Sequence, residues 1–380
     1  MLSTFRAGVR HALSWRILTL VCCFVVLTGL VPASALAAPT FSDMVGAMIM
    51  VGFRGTEPTP ELLELVRSGR IGGVILFDRD VSKPGTTRNI VNKKQVARLT
   101  KALQSAAPRV LLIAVDQEGG KVRRLKPEHG FTDLPSAWEM GQEAPEKTRQ
   151  RAFTMGQELA AVGINMVLAP CVDVNINPDS PAIGRFERSF SADPEQVIAH
   201  AQAFSDGLRA AGIIPVLKHF PGHGSAQTDS HMKLADISNT WRKDKELAPY
   251  KTLFERGFSG AVLVGHLFQV QLDPRYPASL SKPVLTDLLR GELGWQGVVL
   301  SDDLEMEGVG TSPEDAITRA VIAGMDILIF GNNINYIEPK KRVDTIHHSL
   351  ESIRSRGLID NARLMESWNR IETMKRKNQH

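Results

Sequence analysis

The chain has 380 residues, 43% hydrophobic and 23% charged, ordinary values for a folded globular protein with enough length for a full core. The formal charge of +4 comes mostly from residues 1–37, which hold three of the 45 basic and none of the 41 acidic residues. The remaining 42 against 41 gives no case for a nucleic-acid partner. Only Cys171 lies beyond residue 37, which excludes an internal disulfide there and leaves stability to the core.

Residues 1–37 have the layout of a secretory signal peptide. Arg6, Arg10 and Arg16 precede or open the apolar run from Ile17 to Leu30, and Ala35-Leu36-Ala37 is a small-x-small cleavage pattern. The run is short for a transmembrane helix, which needs about 20 residues. An uncleaved N-terminal anchor is the alternative. Cys22 and Cys23 are poor lipidation candidates, because Val21 is not small and the apolar run continues past both. The expected product is an exported, periplasmic chain with no stable membrane insertion, its catalytic domain spanning 38–380.

From Met44 onward, short apolar runs alternate with helix-periodic polar segments. Val45–Phe53 reads as the first strand, Pro60–Ser68 as a helix, and Ile71–Phe77 as the second strand. Lys93–Ala106 is helical and Val110–Val115 a strand ending at Asp116. Helix Thr148–Ala161 leads to strand Ile164–Ala169. Helix Glu195–Ala211 leads to strand Ile213–Leu217, which ends at Lys218-His219. Lys245–Arg256 precedes strand Ala261–Val264. Helix Lys282–Leu293 precedes strand Val298–Leu300, ending at Ser301-Asp302-Asp303. Helix Pro313–Ala323 precedes an eighth run, Met325–Phe330. Two helices near 337–356 and 359–375 complete the chain, and 375–380 reads as a frayed tail. Eight such units predict an α/β fold, a single (β/α)8 TIM-type barrel. An open doubly wound sheet is disfavoured because no Gly-x-Gly-x-x-Gly follows the first strand.

Asp116, Asp173, Lys218, His219, His266, Asp302 and Asp303 fall at or just past apolar runs, where barrel strands meet their mouth. Polar residues end strands everywhere, but so many together favour a polar pocket. Asp302 is placed to act as nucleophile, base or ligand. Asp303 should point the other way in a strand, so the two should not share a proton, and both could instead cap the next helix. Asp229 stands two residues before His231, where in extended chain a carboxylate can orient an imidazole and raise its basicity. Asp116-Gln117-Glu118-Gly119-Gly120-Lys121-Val122-Arg123-Arg124 mixes acids, a glycine turn and bases, a pattern suited to sugar hydroxyls or equally to a surface ion-pair turn. Arg188, in Glu187-Arg188-Ser189-Phe190-Ser191, suits a structural role as well as a binding one. No metal signature is present: there is no His-Glu-x-x-His and no cysteine pair, and the histidines between 219 and 231 lack a fourth ligand. No cofactor is expected.

Together these motifs resemble family 3 glycoside hydrolases, specifically the β-N-acetylhexosaminidase branch. The resemblance rests on Lys218-His219-Phe220-Pro221-Gly222-His223-Gly224, on Asp229-Ser230-His231 and on Asp116–Arg124. Arg188-Ser189-Phe190, the stretch Leu280–Gly297, and Ser301-Asp302-Asp303-Leu304 with Met306 extend it. It spans about residues 41–335, with Lys121 departing from the expected Arg. It implies a retaining exo-β-N-acetylglucosaminidase with Asp302 as nucleophile, His231 as acid/base and Asp229 as the group that orients His231. By the same resemblance Asp116, Arg124, Arg188, Lys218 and His219 bind the sugar. The expected substrate is a GlcNAc-containing glycan or muropeptide, and the oligomeric state is left open. Alternatives are a GlcNAc phosphorylase, a β-glucosidase, or an inactive glycan-binding protein. The β-glucosidase is disfavoured because that branch takes its acid/base from an additional domain. The loop Pro221–His231 is expected to be mobile without substrate and to carry His231 in from a distance, with His223 structural.

Overall fold

The computed structural model describes residues 38–230, 234–334 and 336–378; residues 1–37, on which the expected signal peptide falls, and His231 lie outside these. Eight parallel strands close into a barrel: β1 (Ile49–Gly52), β2 (Gly73–Leu76), β3 (Leu112–Val115), β4 (Met166–Val167), β5 (Ile214–Phe220), β6 (Ala261–Val264), β7 (Val298–Asp303) and β8 (Ile327–Phe330). Each pairs with its sequence neighbours, and β8 closes on β1 through Ile49, Met50 and Val51 against Leu328, Ile329 and Phe330. The first four strands are buried along their whole length, as both faces of a barrel wall require. One continuous apolar core joins them to the surrounding helices.

Helix starts follow side chains that satisfy the free N–H groups of the first turn. Asn92 accepts from Gln95 N, Asp193 from Glu195 N, and Ser312 from Asp315 N. The predicted first strand is corrected at its start. Phe41–Ala47 is a helix, because Thr40 and Asp43 form a reciprocal capping box at its N-terminus, and the strand begins only at Ile49. The helix Pro283–Glu292 is wound with i→i−5 bonds, such as Leu293 N to Leu288 O. The fourth strand is only Met166–Val167 long. The last helix, Asn361–Lys377, includes Lys375, which is buried and paired with Glu372, so the tail is anchored further than its charge suggested. Among the described residues no helix is long and apolar enough to cross a membrane.

Candidate active site

The carboxyl ends of the strands open into a cavity of about 470 Å³. Its floor and walls come from Ile75 on β2, Leu168 after β4, Lys218 and His219 on β5, Leu263 on β6, Asp302 and Asp303 on β7 and Ile329 on β8. Asp116, Arg124, Arg188 and Asp229 line it from the loops, with Phe77, Phe186 and Met306 supplying apolar surface. Seven of the eight residues singled out from the sequence therefore meet in one cavity. The eighth, His231, lies outside the described residues. Its neighbours on the N-terminal side, Asp229 and Ser230, bring the chain to the cavity.

β5 is longer than its apolar run suggested. Lys218, His219 and Phe220 belong to the strand, and all three are buried. This is tolerable for a lysine and a histidine only because they are paired. Lys218 Nζ donates to Asp116 Oδ1 at 2.8 Å and lies 2.6 Å from Glu118 Oε1. Arg188 grips Glu118 through two parallel bonds of 2.9 and 2.8 Å, and donates to Ala182 O. Asp116 Oδ2 accepts from Arg124 at 3.1 Å. Burial alone would raise the Asp116 and Glu118 pKa values. The cations beside them outweigh it, Lys218 and Arg124 for Asp116, Arg188 and Lys218 for Glu118, holding Asp116 far below the usual carboxylate range and Glu118 at about 2. Burial would likewise lower Lys218, but Asp116 and Glu118 hold its pKa above the ordinary value.

His219 is fixed from both sides. Its Nδ1 lies 2.7 Å from Asp173 Oδ2 and its Nε2 3.1 Å from Arg188 Nη2. Burial would raise the Asp173 pKa, but His219 and His223 beside it hold it far below the ordinary value. A carboxylate accepts and a guanidinium only donates. Nδ1 must therefore carry the proton and Nε2 accept, which sets the tautomer. Asp173 also receives the backbone N–H of His223 at 2.7 Å. His223 is buried, its Nε2 3.3 Å from Ser230 Oγ, and burial above all pushes its pKa down to about 4. This is the structural role expected of it.

Glu118 and Asp173 are the functional residues that sequence reasoning underused. Glu118 sat inside a quoted motif and Asp173 at a noted strand end, but neither was assigned a part. A hint was available, since each is an acid in an otherwise apolar or glycine-rich neighbourhood, where it survives burial only against a cation.

The first half of the loop after β5 is packed into the protein. Residues 221–226 are buried. Gly222 has φ +124°, and a Cβ there would come 2.3 Å from Glu246 Oε2; a Cβ at Gly224 would come 1.7 Å from Val174 O. Ser230 O accepts from Gly308 N at 3.1 Å, and Ala235–Asp236 pairs with Leu267–Phe268. Ser230 and Ala235–Asp236 are thus bonded to neighbouring elements, while His231, whose movement the expectation concerns, lies outside the described residues.

Asp302 and Asp303 both line the cavity, and the next helix is capped by Ser312 instead of either of them. Asp303 Oδ1 accepts from Gly331 N and Glu305 N, while its own N–H donates to Asp302 Oδ1 at 2.9 Å. Burial, with Glu305 and Asp302 adding negative charge, pushes Asp303 up to about 7. Lys121, the departure in the motif, donates to Arg185 O and lies over the Phe186 ring at the cavity edge.

Among the described residues the donor atoms of Cys171, Asp173 and His219 lie within 4.8 Å of one another. They are held by mutual hydrogen bonds instead of ligand geometry. Burial and the Asp173 charge keep the Cys171 thiol protonated, and it donates to Asp173 Oδ2 at 3.2 Å. The 2.7 Å from Asp173 to His219 is shorter than the roughly 3.3 Å that two ligands of a tetrahedral zinc keep at bond lengths of about 2.0–2.1 Å.

The sequence profile of the glycosyl hydrolase family 3 N terminal domain matches residues 40–374. The chain is 37% identical to a beta-hexosaminidase of Tolumonas auensis, over 75% of this chain and 83% of that protein. It is 33% identical to beta-hexosaminidase A of Pseudoalteromonas piscicida, over 91% of this chain and 62% of that protein. Its structure is similar to that of a family 3 beta-N-acetylglucosaminidase from a Paenibacillus strain (34% identity, TM-score 0.80, 90% of this chain and 63% of that one). It is also similar to a beta-N-acetylhexosaminidase from Beutenbergia cavernae (30% identity, TM-score 0.78, 89% and 99%). It spans less than two thirds of the Pseudoalteromonas and Paenibacillus chains. With nearly all of its barrel matched, the chain belongs to glycosyl hydrolase family 3.

Proposed function

We propose that the protein is a retaining exo-β-N-acetylglucosaminidase that releases terminal β-linked GlcNAc. The observation that carries this reading is the convergence of Asp302, Asp229 and five sugar-binding candidates on one strand-end cavity, together with relatives named for that activity. In the proposed mechanism the Asp302 carboxylate attacks the anomeric carbon as the glycosidic bond breaks, and His231 gives its proton to the leaving oxygen. Water then attacks the glycosyl-Asp302 ester, His231 takes the proton back, and Asp302 is released. Asp229 orients and polarises His231. Asp116, Arg124, Arg188, Lys218 and His219 hold the sugar by charge-assisted hydrogen bonds.

The pattern of residues 1–37 supports export, which would place this activity in the periplasm on peptidoglycan-derived fragments. The test is turnover of p-nitrophenyl-GlcNAc against p-nitrophenyl-glucose, with and without phosphate. We expect hydrolysis of the GlcNAc substrate, no sugar 1-phosphate, and a fall of about 10⁴-fold or more in kcat for Asp302→Ala. His231→Ala should lose far more activity on a poor leaving group than on p-nitrophenol. A chain inactive on p-nitrophenyl-GlcNAc at every pH would end the enzyme reading.

A further inference from the structure

His266 stands two residues past the end of β6 and is completely buried. Its Nε2 lies 2.9 Å from the carbonyl oxygen of Asp303. A carbonyl can only accept, so Nε2 carries the proton and donates. Its Nδ1 lies 2.7 Å from Ser279 Oγ, in the short turn Ala278–Leu280. Gly308 packs close to the base of the side chain: a Cβ there would come 3.2 Å from His266 Cβ and 2.6 Å from Ser230 O. With both ring nitrogens bonded, the imidazole has a defined direction of donation.

The carbonyl it binds belongs to the turn that carries Asp302. Asp303 O also accepts from Met306 N at 3.0 Å, and Leu304 N donates to Ile329 O. The N–H of Asp303 donates to Asp302 Oδ1. The N–H, the carbonyl oxygen and Oδ1 of Asp303 are all engaged, and its N–H aims the carboxylate beside it. Tilting this turn would tilt Asp302.

Resting on the reading of Asp302 as nucleophile, we propose that His266, backed by Ser279, is a positioning residue that sets the angle of the Asp302 carboxylate toward the anomeric carbon. Its effect lies in attack, where a displacement of about 1 Å can cost 10²-fold in rate. It should not lie in substrate binding, which the Asp116–Lys218–Arg188 network governs.

The experiment compares His266→Ala, His266→Gln and Ser279→Ala in the full chain. Three readouts are used: kcat and KM on p-nitrophenyl-GlcNAc, active sites counted by mass after trapping with a fluorinated GlcNAc donor, and the trapping rate itself. We expect His266→Ala to lower kcat and the trapping rate per counted site by about 10–100-fold with KM within about 3-fold, by analogy with outer-shell partners of a reactive group. His266→Gln, whose amide N–H can reach the same carbonyl, should recover part of the loss, and Ser279→Ala should give a smaller fall of the same kind. A merely structural role would reduce the number of active sites and leave the rate per site unchanged; that result overturns the proposal. So does a loss confined to KM, or Gln and Ala behaving alike. If the Ala variant fails to fold, the Gln and Ser279→Ala variants decide: rates per site within twofold of the parent in both overturn it. Failure of the underlying reading looks different, because Asp302→Ala would then remain active or the trapped sugar would sit on another residue.

Discussion

Glu118 is the residue on which the buried cations Arg188 and Lys218 depend. Its carboxylate holds both Arg188 and Lys218, all three largely withdrawn from water. Burying such charges is costly, and the pairing compensates only while it is complete. Glu118→Gln keeps the shape but removes the charge that faces two cations. We expect a loss of about 3–5 kcal/mol in stability, read as a lowered urea midpoint with unchanged slope. Where the variant is folded, KM should rise more than kcat falls, since Arg188 and Lys218 would lose their aim while Asp302 keeps its own turn. An unchanged midpoint would show that Asp116 alone suffices for Lys218.

The element that most sharply separates composition from structure is the loop after β5. Three histidines and two glycines within Lys218–His231 read as a mobile loop that carries His231 to the pocket. Folding buries its first half over Glu246, whose carboxyl burial pushes up to about 8. A carboxyl with a raised folded pKa is destabilising above its unfolded value: between about pH 4.5 and 8 the unfolded chain has given up a proton that the folded chain keeps, so stability falls as pH rises. Glu246→Gln removes this slope. At pH 7 the variant should gain roughly 3 kcal/mol over the parent, from 1.4 kcal/mol per pH unit, with the gain shrinking toward pH 4.5. Thermal melts of the two proteins at pH 5, 7 and 8.5 check it, and a gap that does not grow with pH would refute it. None of this was legible in the sequence. Burial of Glu246 depends on Gly222 and Gly224 giving up their Cβ positions to Glu246 and Val174, contacts between residues about 25 or 50 apart. The strand ends were legible, because a barrel wall buried on both faces leaves apolar runs that stop where the mouth begins. Hence Asp116, Lys218, His219 and Asp302 could be placed from the runs alone. The partnership of Asp173 with His219 could not, since it joins the loop after β4 to β5 through a side-chain bond that periodicity does not encode.

At the scale of the whole molecule, buried titrating groups pull stability in two directions with pH. Asp303, at about 7, and Glu246, at about 8, favour the folded state as pH falls toward 4. His223, with a folded pKa of about 4, works against it between 6.5 and 4, because the unfolded chain takes up the proton first. Asp116, Glu118 and Asp173 contribute stability that is present above their unfolded values near 4 and is lost below them. The sum predicts a stability maximum on the acid side of neutrality, near about pH 5, and steep loss below about pH 4. Melting temperatures from pH 3 to 9 would show it, and a maximum at pH 8 or above would contradict it. The opposite end of the barrel supplies the contrasting case. Asp326, just before β8, is fully buried and binds Arg290 at 2.7 Å, Arg370 at 3.1 Å, Ser367 and the N–H of Val299, with Arg363 nearby. It ties the helix Asn361–Lys377 and the helix Pro283–Glu292 to the barrel floor. In a (β/α)8 barrel the strand N-terminal face carries stability and the C-terminal face carries chemistry. Asp326→Asn leaves three arginines facing a neutral amide in a dry site, which should cost about 3–5 kcal/mol. Because the pocket lies at the other end of the strands, kcat and KM of the folded fraction should stay within about twofold of the parent. Urea denaturation paired with kinetics normalised to counted active sites separates the two effects. A change in KM with little loss of stability would mean that the floor and the mouth of this barrel are coupled.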